Sequence, residues 1–292
     1  MAELRERSWG IDRRLEFLEY RVFWEGRVNR SDLQHFFRIS TPQASTDFAR
    51  YRDVAPNNLV YDSTERAFVA GERFDPVFYR PSADRYLAQL RALAEHVVDR
   101  SEVPVGEPPC FDVVPTVHRR LDSEIVRGIV AAARERVAIC AVYQSFSSPE
   151  PRARWLSPHA FASDGHRWHF RAWCHTRQDF RDFALGRVLE IVELRPSEID
   201  PAEDLAWSRT VEFVLAPHPG LSPGMRRAIE HDYAMTEGRV AVTVREALAY
   251  YMWKQLGLDR IPEDTPAHQY HVILVNRSEV EAVVNGAGGA PA

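Results

Sequence analysis

Between Ile11 and Trp24 the apolar residues Ile11, Leu15, Leu18 and Val22 recur at helical spacing with charges between them, which predicts a first helix. Leu33, Phe36 and Phe37 form the apolar side of a second, short helix over 30–37. In the run RISTPQASTDFARYRD, Ser40 or Thr41 can cap a third helix and Pro42 suits its first turn, where no backbone donor is needed. Ala44, Phe48 and Tyr51 then share one face of it, and Gln43, Thr46 and Arg50 the opposite one. After Pro56 the helical period gives way to two short β runs in NLVYDSTERAFVAGERF, around a turn at Asp62-Ser63-Thr64-Glu65. A helix over 82–98 follows, with Tyr86, Leu87, Leu90, Leu93 and Val97 predicted inward, and another is defined by Ile125, Ile129, Val130 and Ala133. Strands begin at RVAICAVYQSF, with Tyr143 and Ser145 on one face, and the last of this group is VLEIVEL after Arg187. Beyond a polar connector over 196–207 the pattern reads strand (210–215), helix (223–231), a hairpin around Thr236-Glu237-Gly238 with 239–244 as its second arm, helix (245–256) and strand (270–275), a βαββαβ order of ferredoxin-like form.

This pattern implies an α+β, multidomain chain, and 292 residues accommodate two or three domains. Pro104, Pro108, Pro109 and Pro115 stand too close together for regular structure, so a boundary falls there. The expected division is 1–80, a linker helix and connector over 81–120, a sheet domain over 121–195, and a C-terminal domain over 208–284 ahead of a disordered NGAGGAPA tail. Apolar residues at 45% and charged residues at 27% are ordinary for a soluble domain, and no apolar run approaches the roughly 20 residues of a membrane span. Three widely spaced cysteines and a polar N-terminus lacking a signal-peptide pattern point to a reducing cytoplasm. A net charge of −5 argues against a general nucleic-acid coat and leaves room for a local basic surface. Lys254 is the only lysine, so cationic contacts fall to arginine, which GC-rich coding explains and which also favours bidentate contacts to phosphate and guanine.

The three-residue break before the third helix is the length of a helix-turn-helix, and the β runs supply a wing. Gln43, Thr46 and Arg50, with Thr41 and Ser45 beside them, are the kind of short polar and guanidinium set that reads base edges in a major groove, and Arg66 on the wing can reach phosphate. A structural three-helix bundle with a hairpin would share the apolar pattern.

The densest chemistry lies between Tyr143 and Arg187, with four histidines, three tryptophans and seven arginines. Strand alternation in HRWHFRAWC sends Trp168, Phe170, Ala172 and Cys174 one way and His169, Arg171, Trp173 and His175 the other. Tyr143 and Ser145, then Arg154 and Pro158, then Trp168-His169-Phe170, then Arg181, Phe183 and Arg187 together resemble the WYL domain, with two of its three name-giving residues replaced. The run RWLSPHAFASDGHRWHFRAWCH is similar to the BrxR/CapW group of phage-defence regulators associated with BREX and CBASS systems. The resemblance implies a winged helix-turn-helix, a central Sm-like β-barrel (WYL) and a C-terminal ferredoxin-like extension (WCX) that dimerises.

On this basis the chain is expected to be a homodimeric transcription regulator, a repressor of its own defence operon by analogy, binding double-stranded DNA at an inverted repeat. Its effector is expected to be a nucleotide or nucleic-acid fragment held by Tyr143, Ser145, Arg154, His159, His169, Arg171, Arg181 and Arg187, with no cofactor and no membrane partner. Three other readings share these residues. The arginines can instead pair with Asp164, Asp179 and Asp182; the segment can be an oligomerising surface on a DNA-binding scaffold; or His159 and His169 can serve a nuclease or phosphodiesterase as acid and base. A metal site is disfavoured, because His166 and His169 face opposite ways on a strand and no CxxC or HExxH accompanies them.

Overall fold

The computed structural model describes residues 2–115, 117, 119–258 and 266–286, the side chains of 2–9 excepted. The chain divides into two compact units, 1–116 and 117–292.

The first unit runs α1 (Ala2–Glu25), β1 (Arg27–Val28), α2 (Arg30–Phe37), α3 (Thr41–Val54), β2 (Leu59–Asp62), β3 (Ala67–Ala70) and α4 (Ala83–Ala94). Asn29 and Asp32 form a capping box at the start of α2, Arg38 turns the chain in the left-handed region, and Ser40 caps α3. Leu15, Leu18, Leu33, Ala44, Phe48 and Tyr51 close one core. The β2–β3 hairpin predicted as a wing gains β1 on its far edge, in the order β1-β3-β2, and Phe68 stacks on Phe48 to seat it on α3. Buried Glu19 accepts from the backbone N–H groups of Val77, Phe78 and Tyr79 and from the Tyr51 hydroxyl, which satisfies three successive backbone donors inside the core. The predicted helix over 82–98 ends early at Ala94, with His96 in the left-handed region. Tyr86 and Leu90 are buried as expected, but Leu87 and Val97 point outward. Val103 and Val105, from the proline-rich connector, pack beside Tyr86 and Leu90 in a second small core.

The second unit begins with α5 (Ser123–Glu135), whose Ile129 and Ala132 are buried while Val130, predicted inward, faces out. Five strands follow, β4 (Val137–Tyr143), β5 (Arg152–Ser163), β6 (Trp168–Cys174), β7 (Asp179–Ala184) and β8 (Val188–Pro196), in one antiparallel sheet of order β7-β6-β5-β4-β8. No ladder joins the edges β7 and β8 among the described residues, so the sheet is open where a closed barrel was expected. Phe170, Ala172 and Cys174 enter its core with Tyr143, Leu156 and Phe183, as alternation requires. Trp168, assigned to the same face, sits at the strand's start and is half exposed.

The connector carries a short helix, α6 (Leu205–Ser208), and leads to β9 (Thr210–Pro217), α7 (Pro223–Asp232), β10 (Val240–Arg245), α8 (Glu246–Gln255), β11 (Val272–Leu274) and α9 (Arg277–Gly286). The sheet is three-stranded, in the order β10-β9-β11. The hairpin expected at 236–244 is only a Thr236–Arg239 bridge, so its first arm adds no strand to the βαββαβ pattern. Helix α9 was not anticipated; its Val280 and Val284 close a core with Phe213, Ala249 and Trp253. Of the predicted tail, Asn285 and Gly286 end α9 and 287–292 lie outside the described residues.

Candidate functional site

Capping and burial together fix the outward face of α3. Ala44, Phe48 and Tyr51 lock the helix to the core, and buried Asp47 pairs with Arg14 at 2.7 Å. Around this anchor the predicted reading residues differ in freedom. The Gln43 amide donates to Asp47 (3.1 Å), the Thr46 hydroxyl to the Pro42 carbonyl (2.9 Å) and the Thr41 hydroxyl to Gln34 (3.0 Å). Ser45 is half-buried, whereas Arg50 is exposed with no carboxylate partner among the described residues. Arg66 is likewise exposed, in the left-handed region at the base of the wing turn, which Asp62 organises by accepting from the Thr64 and Glu65 N–H groups. Arg38, in the left-handed turn between α2 and α3, adds an exposed guanidinium that periodicity alone did not single out.

In the second unit six of the eight predicted ligand residues fall into two groups. Tyr143, Ser145, Arg154 and Arg187 gather where β4 ends. The Tyr143 hydroxyl accepts from the Ala184 N–H (3.2 Å) and from Arg187, and the Arg154 guanidinium lies over its ring at 5.8 Å. Burial pushes this hydroxyl up, against the pull of Arg187, so it stays neutral. Arg187 also lies 3.8 Å over the ring of Phe146, which is 84% exposed, and Arg154 has no carboxylate partner among the described residues. Buried Ser145 organises the adjoining turn by accepting from the Ser147 N–H. This group offers guanidinium charge beside an open aromatic face.

The other group is sealed and self-neutralised. Arg171 is 4% exposed and forks onto Asp204 at 2.6 and 2.9 Å, with a third bond to Asp182 at 3.2 Å. His159 meets Asp204 at 3.0 Å, and the Tyr251 hydroxyl donates to Asp182 at 3.0 Å. Burial pushes Asp204 up, but the bonds from His159 and Arg171 outweigh it and hold the carboxyl at about 2. For Asp182 burial wins over the same kind of pairing and leaves the carboxyl raised. Arg171 and His159 are thus engaged by protein carboxylates, away from the Tyr143 group. Arg181 is drawn to Asp179 on its own strand (3.5 Å), and Arg167 to Asp164 (3.0 Å), the pairings that nearby carboxylates invited. Asp204, which reading the connector as merely polar missed, is the hub of this cluster.

His169 shares in none of these hydrogen bonds. It is fully buried beneath Tyr251, ring centroids 5.0 Å apart, and burial lowers its pKa to about 4. His159 and His169 thus occupy separate buried environments, poor ground for an acid and base working on one scissile bond. Among the described residues no group of three or more His, Cys, Asp and Glu side chains could hold a metal ion, and no helix is long and apolar enough to cross a membrane.

Three family models match along the chain: the BrxR transcriptional regulator winged helix-turn-helix domain at residues 10–92, the WYL domain at 124–193, and the BrxR transcriptional regulator C-terminal dimerization domain at 210–280. The DNA-binding transcriptional repressor CapW of Stenotrophomonas maltophilia is 44% identical over 276 residues, 94% of this chain and 92% of that one. The chain belongs to the BrxR/CapW family of WYL-domain regulators. The CapW repressors of Pseudomonas aeruginosa and Escherichia coli strain KTE188 are 41% and 39% identical at the same coverage of this chain and of theirs. Among solved structures, proteasome accessory factor B/C of Arthrobacter aurescens aligns with a TM-score of 0.28 at 16% identity, over 94% of this chain and 45% of that one, too distant to bear on the site. Within the BrxR/CapW frame, α3 and the wing fall inside the first matched region and the Tyr143 group inside the second. Asp204 lies in the gap between the second and third, so the family models do not point to it.

Proposed function

We propose that this protein is a homodimeric, sequence-specific DNA-binding transcriptional repressor of a phage-defence operon, which binds an inverted repeat through α3 and the wing. Release follows when a nucleotide or nucleic-acid fragment occupies the Tyr143 group of the WYL domain. The observation that carries the DNA-binding reading is the outward face of α3, where Arg50 has no acidic partner among the described residues and Gln43 and Thr46 lie alongside it on a helix locked to its core. The names of the CapW relatives and of the matched C-terminal family model support repression and dimerisation. The effector reading rests on Arg154, Arg187, Tyr143 and the exposed Phe146 ring, a set suited to phosphate and a stacked base. Arg171, His159 and Asp204 serve this site as structural support.

Polarisation titration against the DNA upstream of its own gene, at fixed salt, tests the reading. Saturable binding to one inverted repeat is expected, weakened about ten-fold or more by Arg50→Ala, the discrimination of one good base contact. Binding without sequence preference, or no binding, would overturn it.

A further inference from the structure

His169 lies across the β6–β7 ladder from Ala184, whose N–H holds the Tyr143 hydroxyl, and the Arg187 guanidinium of that group is near enough to act on its charge. Its ring is fully buried, yet neither nitrogen meets a hydrogen-bond partner among the described residues. Buried polar groups are seldom left so, because their water is lost without replacement. The charged groups facing the ring decide its state. Asp164, from the β5–β6 turn, favours a proton on it; Arg167 from that turn, Arg187 after β7 and Arg119 ahead of α5 oppose one, as does burial. The imidazole is therefore neutral, with one nitrogen able to donate and the other to accept. Such a ring cannot neutralise phosphate, but it can meet the polar edge of a base. The Tyr251 ring of α8, held by its bond to Asp182, packs on it at 5.0 Å between centroids.

We propose that His169 is a specificity-determining residue of the effector site, reading the polar edge of a nucleobase that takes the place of the Tyr251 ring while Arg154 and Arg187 hold the phosphates. The assignment rests on the effector reading above and extends it: entry of the base displaces α8, in the region matched by the dimerization model, so the ligand distinguishes two states of that domain.

The test titrates the full chain, at fixed salt, with two labelled single strands of equal length and phosphate number, one bearing bases and one abasic. The wild type is expected to prefer the base-bearing strand by about ten-fold or more, the range of one well-held base. His169→Phe removes most of that preference and leaves abasic binding unchanged, His169→Gln, with an amide donor and acceptor, retains part of it, and Arg187→Ala weakens both strands. Tyr251→Phe, which frees the covering ring from Asp182, tightens the base-bearing strand alone. If the wild type binds neither strand, the effector reading fails and this proposal with it. If it binds both, and His169→Phe and Tyr251→Phe shift them equally or not at all, the effector reading stands and the role of His169 is overturned.

Discussion

Arg171 gathers the buried charge of the second unit onto one guanidinium, and its geometry dictates what its loss would do. It bridges Asp182 of β7 and Asp204 of the connector, and Asp182 is in turn bound by Tyr251 of α8. Breaking a buried pair by deleting one partner strands the other charge in a medium that solvates it poorly, at a cost of about 3–5 kcal/mol. Here two carboxylates would be stranded, within 1–8% exposure of their side chains. Arg171→Ala is therefore expected to lower stability by about that amount in urea denaturation, with the loss in the second unit, whereas Arg181→Ala, which removes a half-exposed pair with Asp179, changes it by less than about 1 kcal/mol. Equal, small effects for the two variants would show that the cluster carries no structural weight.

At the scale of elements, the wing illustrates how closely backbone can pack against backbone. Gly71, just past β3, donates its N–H to the Asn58 carbonyl at 2.9 Å, and a Cβ built on it would overlap the Asn57 carbonyl oxygen. Only glycine tolerates that approach. Gly71→Ala is expected to destabilise the first unit by roughly 1–3 kcal/mol, the usual scale for forced overpacking, and to weaken DNA binding only through that loss; calorimetric melting beside Gly10→Ala in α1, where a Cβ meets only the Arg14 guanidinium at an ordinary 3.8 Å, separates the clash from a general glycine effect. The same scale explains what could be read in advance. Helices α2 and α3 were legible because capping residues and one apolar face are local signals, and Ala44, Phe48 and Tyr51 lie where periodicity put them. Leu87, Val97 and Val130 carry the same apolar signal but face out, since composition does not say where a helix stops or which flank a neighbour covers. The polar face of β6 was legible as a face. Its burial was not, because Asp204 and Tyr251, which cover Arg171 and His169, come from 33 and 82 residues further along and from stretches that read as connector and ordinary helix core.

For the whole molecule, the proposed function ties protein symmetry to operator geometry. A C-terminal region matching a dimerization model implies a two-fold assembly, and two copies of α3 then present the same face to two half-sites related by that axis. DNA repeats its groove every 10–10.5 base pairs, so half-sites at the natural spacing lie on one side of the duplex. Inserting about five base pairs between them turns one half-site to the opposite side, out of reach of a dimer that holds its reading helices in fixed relation; inserting about ten returns it to the same side. Gel-shift titration of the three operators is expected to show strong binding, loss of about a hundred-fold or more with the half-turn insertion, and partial recovery with the full turn, since each half-site lost removes its own phosphate and base contacts. Recovery measures how far the assembly can stretch without changing its rotational setting. Equal affinity for all three would mean that each copy binds its half-site independently, and the dimer would then have to be assigned a role other than operator selection.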